Sequence, residues 1–451
     1  MMQSDETVRG PLWLHPARAV PLAFVLAILA GTAVLSLPAA TAEGVRAPLV
    51  TALFTATSAI CVTGLVVVDT GSYWSPFGQA AILLMFQLGG LGIMAGATLL
   101  GLLVSRRLPL SRRLLVKEET KSLRLSDVRA VVLLVLVVTL AAQTMVAAIL
   151  VPRLRFAHGE SWGEALWNGV FHAVSAFNNA GFSTYSDSLM RFALDPVILV
   201  PVMAAVILGG IGFPVLHELR ERWREPVRWS VHAKITLLGS ALLLILGFGA
   251  ILATEWTNPF TLGDLPPGAR ALNAMVHSVM TRSGGFNTVD TFALRAESLL
   301  VSDMLMFVGA GSAGTGGGIK ITTFFLLGFV VWAEIRGEPE TSAFGRRIGT
   351  GAQRQALAVA FMAVLLVGFG TLALLALTPY SLDRVLFEVI SAAATVGLST
   401  GITPHLPPSG QVILVVLMYT GRVGTITVAT ALALRASALR YRYPEERPIV
   451  G

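Results

Sequence analysis

Eight apolar segments along the chain are each long enough to cross a lipid bilayer as a helix. A span needs about 20 apolar residues, and its backbone must satisfy its own hydrogen bonds in lipid. We therefore predict an all-α polytopic membrane protein, with the first span retained and not cleaved as a signal peptide. The predicted spans are residues 18–38, 77–104, 128–151, 196–216, 233–254, 300–333, 355–379 and 409–434.

Composition excludes several other classes. Only 13% of the 451 residues are charged and 54% are hydrophobic, whereas an average soluble domain carries about 25% charged residues. This balance excludes an ordinary cytosolic enzyme and a disordered chain. The single cysteine, Cys61, excludes an internal disulfide framework and a cysteine-based zinc site. The formal net charge of +7 indicates a membrane surface and not a nucleic acid, because the basic residues cluster beside the spans.

The loops between the spans alternate in character, and this predicts the orientation. The loops at 105–127, 217–232 and 334–354 are short and basic, whereas the other four are longer. By the positive-inside rule, the short loops and both termini are cytoplasmic. Only eight of the 33 basic residues fall in the outer loops, namely Arg46, Arg153, Arg155, Arg191, Arg270, Arg282, Arg295 and Arg384.

Each outer loop contains the same twelve-residue frame. The four frames are FTATSAICVTGL at 54–65, FHAVSAFNNAGF at 171–182, MVHSVMTRSGGF at 275–286 and FEVISAAATVGL at 387–398. A large apolar residue opens each frame, and a glycine followed by another large apolar residue closes it. Position five is serine except in the third frame, which has Val279. The repeating unit is thus a span, a short re-entrant helix, a glycine turn and a second span.

Four such turns around one pseudo-fourfold axis predict a central pore. Non-helical backbone at membrane depth persists only where protein buries it or water lines it. Carbonyl oxygens of the turns can then replace the water around a cation, and glycine permits the backbone angles required. The predicted filter residues are Val62, Thr63, Gly64, Leu65, Asn179, Ala180, Gly181, Phe182, Ser283, Gly284, Gly285, Phe286, Thr395, Val396, Gly397 and Leu398.

These four single-glycine frames resemble the Trk/Ktr/HKT superfamily of potassium transporters. The third frame with its continuation, TRSGGFNT, and the later run GSAGTGGGIKITTF resemble the bacterial KtrB branch. The resemblance covers nearly the whole chain. It implies potassium as the transported ion, and the glycine in all four frames favours potassium over sodium. It also implies sodium as an activator, a homodimer in the plasma membrane, and a cytosolic KtrA-like ring that binds ATP or ADP.

The sixth predicted span is interrupted by six glycines within residues 309–318. Glycine costs up to about 1 kcal/mol per residue in a helix interior, so this stretch should unwind and face a cavity. By resemblance we assign it as an intramembrane gate below the filter. A close helix-packing surface is the alternative, and a phosphate loop is disfavoured because no strand precedes it. The gate residues are Gly309, Gly311, Ser312, Gly314, Thr315, Gly316, Gly317, Gly318, Lys320 and Arg422.

Lys320 and Arg422 are included because charges at membrane depth are functional candidates. Snorkelling to the interface is the alternative for both residues. No carboxylate in the neighbouring spans is available to Arg422. We therefore expect its donors to reach backbone carbonyls, plausibly those of 309–318, or cavity water.

The repeats divide the chain into consecutive units. Residues 1–17 form the cytoplasmic N-terminus, 18–104 repeat 1, 128–216 repeat 2, 233–333 repeat 3 with the gate, 355–434 repeat 4, and 435–451 the cytoplasmic C-terminus. Two other functions are alternatives that this sequence favours less. A secondary transporter would need paired broken helices in inverted halves, and an intramembrane enzyme would need a nucleophile–base pair or metal ligands within the spans. A less selective sodium/potassium pathway is a variant of the main prediction.

Overall fold

The structure is a computed structural model that describes residues 16–106 and 125–434. The predicted terminal segments and most of the first basic loop lie outside these residues. The described part is mostly helical, with one two-stranded hairpin of Ser342–Ala343 and Arg346–Arg347. Its helices are α1 (Pro16–Leu35), α2 (Leu49–Ile60), α3 (Thr70–Tyr73), α4 (Pro76–Arg106), α5 (Leu125–Ala157), α6 (Trp162–Phe177), α7 (Pro196–Ile211), α8 (Phe213–Arg222), α9 (Val231–Glu255), α10 (Pro267–Met280), α11 (Ala296–Phe307), α12 (Ile321–Ile335), α13 (Thr350–Leu377), α14 (Leu382–Ala393) and α15 (Pro408–Leu434).

Four short helices, α2, α6, α10 and α14, carry the four frames. Each packs on the long helix that precedes it, and α15 returns to pack on α1 and α2. The first and last parts of the chain are therefore neighbours. The large residues that open three of the frames, Phe54, Phe171 and Phe387, are fully buried, so burial of an aromatic side chain anchors each of these short helices.

Three described helices are long and apolar enough to cross a membrane, spanning Leu133–Ala157, Val231–Glu255 and Thr350–Leu377. Their exposed side chains are mostly apolar, as expected for surfaces in contact with lipid. A fourth candidate is α7 with α8, which pass the same test together but are bent by 97°. The chain is accordingly a multi-pass helical membrane protein.

That bend corrects the prediction of one continuous helix over 196–216. The chain turns at Gly212, which has φ 96°, and a proline follows within the first two residues of α8. A Cβ at residue 212 would lie 2.4 Å from the carbonyl oxygen of Ser312. Glycine is required at this break for two reasons: the backbone has a positive φ, and the Ser312 carbonyl leaves no room for a side chain.

The sixth predicted span is broken where its glycines cluster. Helix α11 ends at Phe307 and α12 begins at Ile321. Between them, Val308 and Ile319 form an isolated parallel bridge, so residues 309–318 leave the helical path and return to their starting point. The predicted unwinding is confirmed.

Candidate functional site

The four frame glycines lie together in a closed ring. An added Cβ on Gly64 would lie 2.3 Å from the carbonyl oxygen of Ala180. On Gly181 it would lie 2.9 Å from the Cα of Gly285. On Gly285 it would lie 2.6 Å from the oxygen of Val396, and on Gly397 it would lie 2.2 Å from the oxygen of Thr63. Each glycine therefore abuts the next frame's backbone, and no position tolerates a side chain.

The four turns share one backbone conformation. The residue two positions before each glycine has a positive φ, as do the glycines themselves. The values are 55° for Val62, 58° for Asn179, 75° for Ser283 and 47° for Thr395, followed by 94° for Gly64, 68° for Gly181, 74° for Gly285 and 95° for Gly397. Non-glycine residues rarely adopt this region. Its recurrence at four aligned positions shows that the repeated sequence encodes a repeated, strained turn of the kind found at ligand-binding sites.

The serine at position five ties three of the turns to their short helices. Ser58 Oγ accepts a hydrogen bond from Gly64 N–H at 3.1 Å, and Ser391 Oγ accepts one from Gly397 N–H at 3.1 Å. In the second frame, Ser175 Oγ donates to the Phe182 carbonyl at 2.8 Å. The third frame has Val279, so its turn lacks this side-chain support.

The loop at 309–318 lies against the beginnings of three of the glycine turns. Thr315 Oγ1 donates to Asn179 Oδ1 at 2.8 Å, and Gly317 N–H donates to Ser283 Oγ at 2.9 Å. A Cβ on Gly317 would lie 1.9 Å from Thr395 Oγ1. The loop is thus packed directly against the second, third and fourth turns, at the first residue of each.

The broken fourth span receives the other side of this loop. Gly311 N–H donates to the Gly210 carbonyl at 2.8 Å, and Thr315 N–H donates to the Gly209 carbonyl at 3.0 Å. A Cβ on Gly314 would lie 2.6 Å from the Gly210 oxygen. The glycines of the loop therefore serve close backbone packing as well as unwinding, and they meet glycines of α7.

Lys320 and Arg422 differ in their contacts with the loop. Lys320 Nζ donates to the loop carbonyl of Gly316 at 2.7 Å. Arg422 is 3% exposed and its Nη1 lies 3.4 Å from Thr395 Oγ1. Its Nε and Nη2 have no partner among the described residues. Of the two kinds of partner expected for Arg422, the loop carbonyls are therefore not the one that it reaches in this structure.

The packing of Gly421 explains this difference. A Cβ on that glycine would lie 1.8 Å from the Ala393 carbonyl oxygen, so α15 is pressed against the last residue of α14. Arg422 is consequently carried to the start of the fourth turn, and the shorter Lys320, adjacent to the loop, takes the loop carbonyl.

The sequence did not indicate Arg282 as a site residue, because the positive-inside rule assigns it, with seven other arginines, to the outer loops. It is 7% exposed, and its Nη2 donates to the Gly309 carbonyl at 3.1 Å. Its position in the aligned frames indicates that it is buried. Position eight is occupied elsewhere by Cys61, Asn178 and Ala394, all buried, so an arginine at that position is inside the protein.

Three acidic residues, in the longer loops and in the fourth frame, have structural partners. Glu388 is fully buried and accepts hydrogen bonds from Thr400 N–H at 2.7 Å and from Ser399 Oγ at 2.7 Å. Asp69 caps α3 through Ser72 N–H at 2.7 Å, and Asp187 pairs with Arg191 at 2.7 Å. Of this set, Glu388 is thus a buried brace for the segment after the fourth turn.

The frame histidines also have hydrogen-bond partners. His172 contacts the Asn168 carbonyl through Nδ1 at 2.7 Å and Ser183 Oγ through Nε2 at 2.9 Å. His277 Nε2 lies 2.8 Å from Ser302 Oγ. Both rings are buried and hold the short helices α6 and α10 to neighbouring segments.

Backbone turns that meet in one ring within a helical membrane protein are typical of the class of membrane transport proteins. The sequence pattern of the TrkH family, described as a cation transport protein, matches residues 32–439. The chain belongs to this family, and it is a transport protein and not an enzyme.

Curated relatives extend over the full chain. It is 35% identical to the Ktr system potassium uptake protein B of Bacillus subtilis, covering 100% of both chains. It is 35% identical to the protein of that name from Vibrio alginolyticus, covering 96% of this chain and 94% of the relative. It is 34% identical to the potassium/sodium uptake protein NtpJ of Enterococcus hirae, covering 97% and 98%.

The fold has a solved counterpart. The crystal structure of the potassium transporter TrkH from Vibrio parahaemolyticus superposes with a TM-score of 0.71 at 17% sequence identity. The match covers 95% of this chain and 86% of that one. At this identity the likeness concerns the fold.

Proposed function

We propose that the protein takes up potassium across the cell membrane through a central pore, with the four turns as its selectivity filter. The observation that carries the proposal is the closed ring in which each frame glycine abuts the backbone of the next frame. Carbonyl oxygens arranged around such a ring replace the hydration shell of a cation. The C-terminal ends of α2, α6, α10 and α14 lead into the turns, and helix C-termini carry partial negative charge that favours cations.

We further propose that residues 309–318 form the gate of this pore. The loop touches the first residues of three turns through Asn179, Ser283 and Thr395. A segment packed there obstructs any path that continues from the filter. The hydrogen bonds that hold it join backbone and hydroxyl groups, which are individually modest in net strength, so the loop can be released without unfolding the helices.

Lys320 and Arg422 add an electrostatic barrier in this proposal. Arg422 lies at the base of the fourth turn, close to the proposed ion path. A unit charge ~8 Å from a cation, at an effective dielectric of about 20, raises the energy by about 2 kcal/mol. A barrier of that size slows permeation by roughly 30-fold.

Control by a partner belongs to the same proposal. We place both termini and the short basic loops in the cytoplasm, so a cytosolic nucleotide-binding ring would act on the gate from that side. The name of the relatives, a Ktr system, supports a multi-subunit assembly. The proposal includes a homodimer, sodium as an activator, and ATP or ADP bound by the partner and not by this chain.

A less selective sodium/potassium pathway is the second candidate, and one relative, named as a potassium/sodium uptake protein, favours it. Rubidium uptake into liposomes that hold the purified chain, with sodium as competitor, separates the two. Saturable rubidium uptake that equimolar sodium leaves largely intact supports the potassium proposal. Equal competition by sodium supports the less selective pathway, and no uptake with or without a partner contradicts both.

A further inference from the structure

We propose that Arg282 fastens the gate loop to the third filter turn, so that the turn and the loop move as one unit when the gate is closed. The inference rests on the proposed gating role of residues 309–318. It assigns a positioning role to a residue of the third frame.

The contact of Arg282 falls at the base of the loop. Its Nη2 donates to the Gly309 carbonyl at 3.1 Å. Gly309 N–H donates to the Ile319 carbonyl at 2.9 Å, and Ala310 N–H donates to the Gly317 carbonyl at 3.2 Å. The two limbs of the loop therefore meet at the residue that Arg282 holds.

Burial makes this contact consequential. Arg282 is 7% exposed and forms no ion pair with any described carboxylate. Its Nη1 has no partner among the described residues, and Ser240 Oγ is at the limit of contact with Nη2, at 3.5 Å. The guanidinium borders a cavity of about 30 Å³ that Ser240 also lines. Hydrogen bonds from charged donors are stronger than neutral ones, so a buried guanidinium with so few acceptors strongly favours the loop position that supplies the Gly309 carbonyl.

The adjacent residue holds the other limb. Ser283 Oγ accepts a hydrogen bond from Gly317 N–H at 2.9 Å and lies 2.8 Å from the Thr395 carbonyl, to which it donates. Arg282, directly before the third turn, and Ser283, its first residue, thus contact the start and the end of the loop. The loop cannot leave the filter without breaking both contacts, and a displacement of the third turn is transmitted directly to the loop.

Flux and loop accessibility test the proposal. We expect Arg282→Gln to raise rubidium flux about tenfold, equivalent to about 1.4 kcal/mol. Arg282→Lys, which keeps the charge but loses the planar fork, should give a smaller rise. In a Cys61→Ala background, a cysteine at the half-buried Ser312 should react several-fold faster with a cytosolic methanethiosulfonate reagent when Arg282 is changed. Arg270→Gln is the matched control, because Arg270 lies on α10, the helix that leads to Arg282, and donates to the carbonyls of Leu265, Trp256 and Gly263, outside the loop.

A double-mutant cycle separates this proposal from the gate proposal. In a chain that lacks residues 311–317, Arg282→Gln should add no further flux, because the structure that it restrains is gone. If the deletion raises flux and Arg282→Gln multiplies flux equally in both backgrounds, the fastening role is wrong although the gate stands. If the deletion leaves flux unchanged, the gate proposal itself fails. Should Arg282→Gln not assemble, unchanged Ser312→Cys reactivity in a well-assembled Arg282→Lys protein overturns the fastening role.

Discussion

The first and third glycine turns, both assigned to the proposed filter, adopt the same backbone but are supported in different ways. In the first, Ser58 of the same short helix holds Gly64 N–H. In the third, Val279 offers no hydroxyl, and Gly284 N–H bonds the Met280 carbonyl at 2.8 Å. The third turn uses Arg282 and Ser283 to contact the loop and the fourth turn. One turn is thus supported by its own repeat, whereas the other depends on the segment proposed to move.

This difference teaches that a repeated sequence can give a symmetric ring with asymmetric attachments. The glycines close the ring in all four repeats, so the ring itself has to stay intact. The hydroxyl at position five is missing only in the third frame, where other contacts support the turn. We infer that the first turn chiefly serves selectivity, whereas the third serves selectivity and gating together.

The largest expected effect comes from serine in place of a ring glycine. Gly64→Ser and Gly285→Ser each place a side chain within 2.6 Å of a neighbouring carbonyl oxygen and impose a strained φ. We expect each to lower the preference for potassium over sodium about a hundredfold, or about 2.7 kcal/mol. Competition between rubidium and sodium at matched membrane expression measures it. Wild-type selectivity in both variants would refute the filter assignment.

Removal of the charge at Arg422 should have the next largest effect. Arg422→Gln should raise potassium flux by up to roughly 30-fold. Because Arg422 contacts Thr395 and not the loop, Arg422→Ala should raise flux to the same extent. A markedly greater flux in the alanine variant would indicate that Arg422 also tethers the loop, and unchanged flux in both would place it away from the ion path. Radiotracer uptake with size-exclusion controls for assembly distinguishes these results.

Shortening the loop should have a smaller effect, because Lys320 and Arg422 still oppose a cation. Deletion of residues 311–317 should raise flux about tenfold and weaken control by a cytosolic partner. The measurement is uptake with and without that partner. Lower flux in a correctly assembled deletion would support the alternative, in which the glycines serve helix packing.

The smallest effect sharpens the comparison between the two turns. Ser58→Ala and Ser283→Ala each remove a hydroxyl that accepts a backbone N–H, a loss of about 1 kcal/mol. We expect Ser58→Ala to reduce selectivity a few-fold without changing flux, and Ser283→Ala to increase flux a few-fold. Uptake and competition assays on both variants provide the comparison. The same response from both would show that the first and third turns do not differ in role.

Much of this architecture could be predicted from local sequence. Hydropathy over about 20 residues indicates a helix in lipid, and described helices occupy the predicted apolar segments. The frames were identified because their residues recur at constant spacing, and each glycine turn follows its short helix as expected. The break between Phe307 and Ile321 followed from glycine density alone.

Other features depended on contacts between distant parts of the chain. Gly212 breaks its span because Ser312 approaches from another repeat. Glu388 is an internal brace because Thr400 and Ser399 fold back onto it. Neither partner can be read from a hydropathy window, since a glycine or a carboxylate has the same local sequence signature in both settings.

By itself, the sequence determined that this protein is a bundle of membrane helices with four equivalent glycine turns, because apolar length and residue spacing act over a few helical turns. Only the tertiary structure decided which turn abuts which, and which of Arg282, Lys320 and Arg422 reach the loop. Arg282 and Gly309 are 27 positions apart, and so are Arg422 and Thr395. Each pair joins the region of a turn to the span that follows it in the same repeat. The packing of that span sets the contact, because a buried donor takes whichever acceptor the packed backbone brings within hydrogen-bond distance.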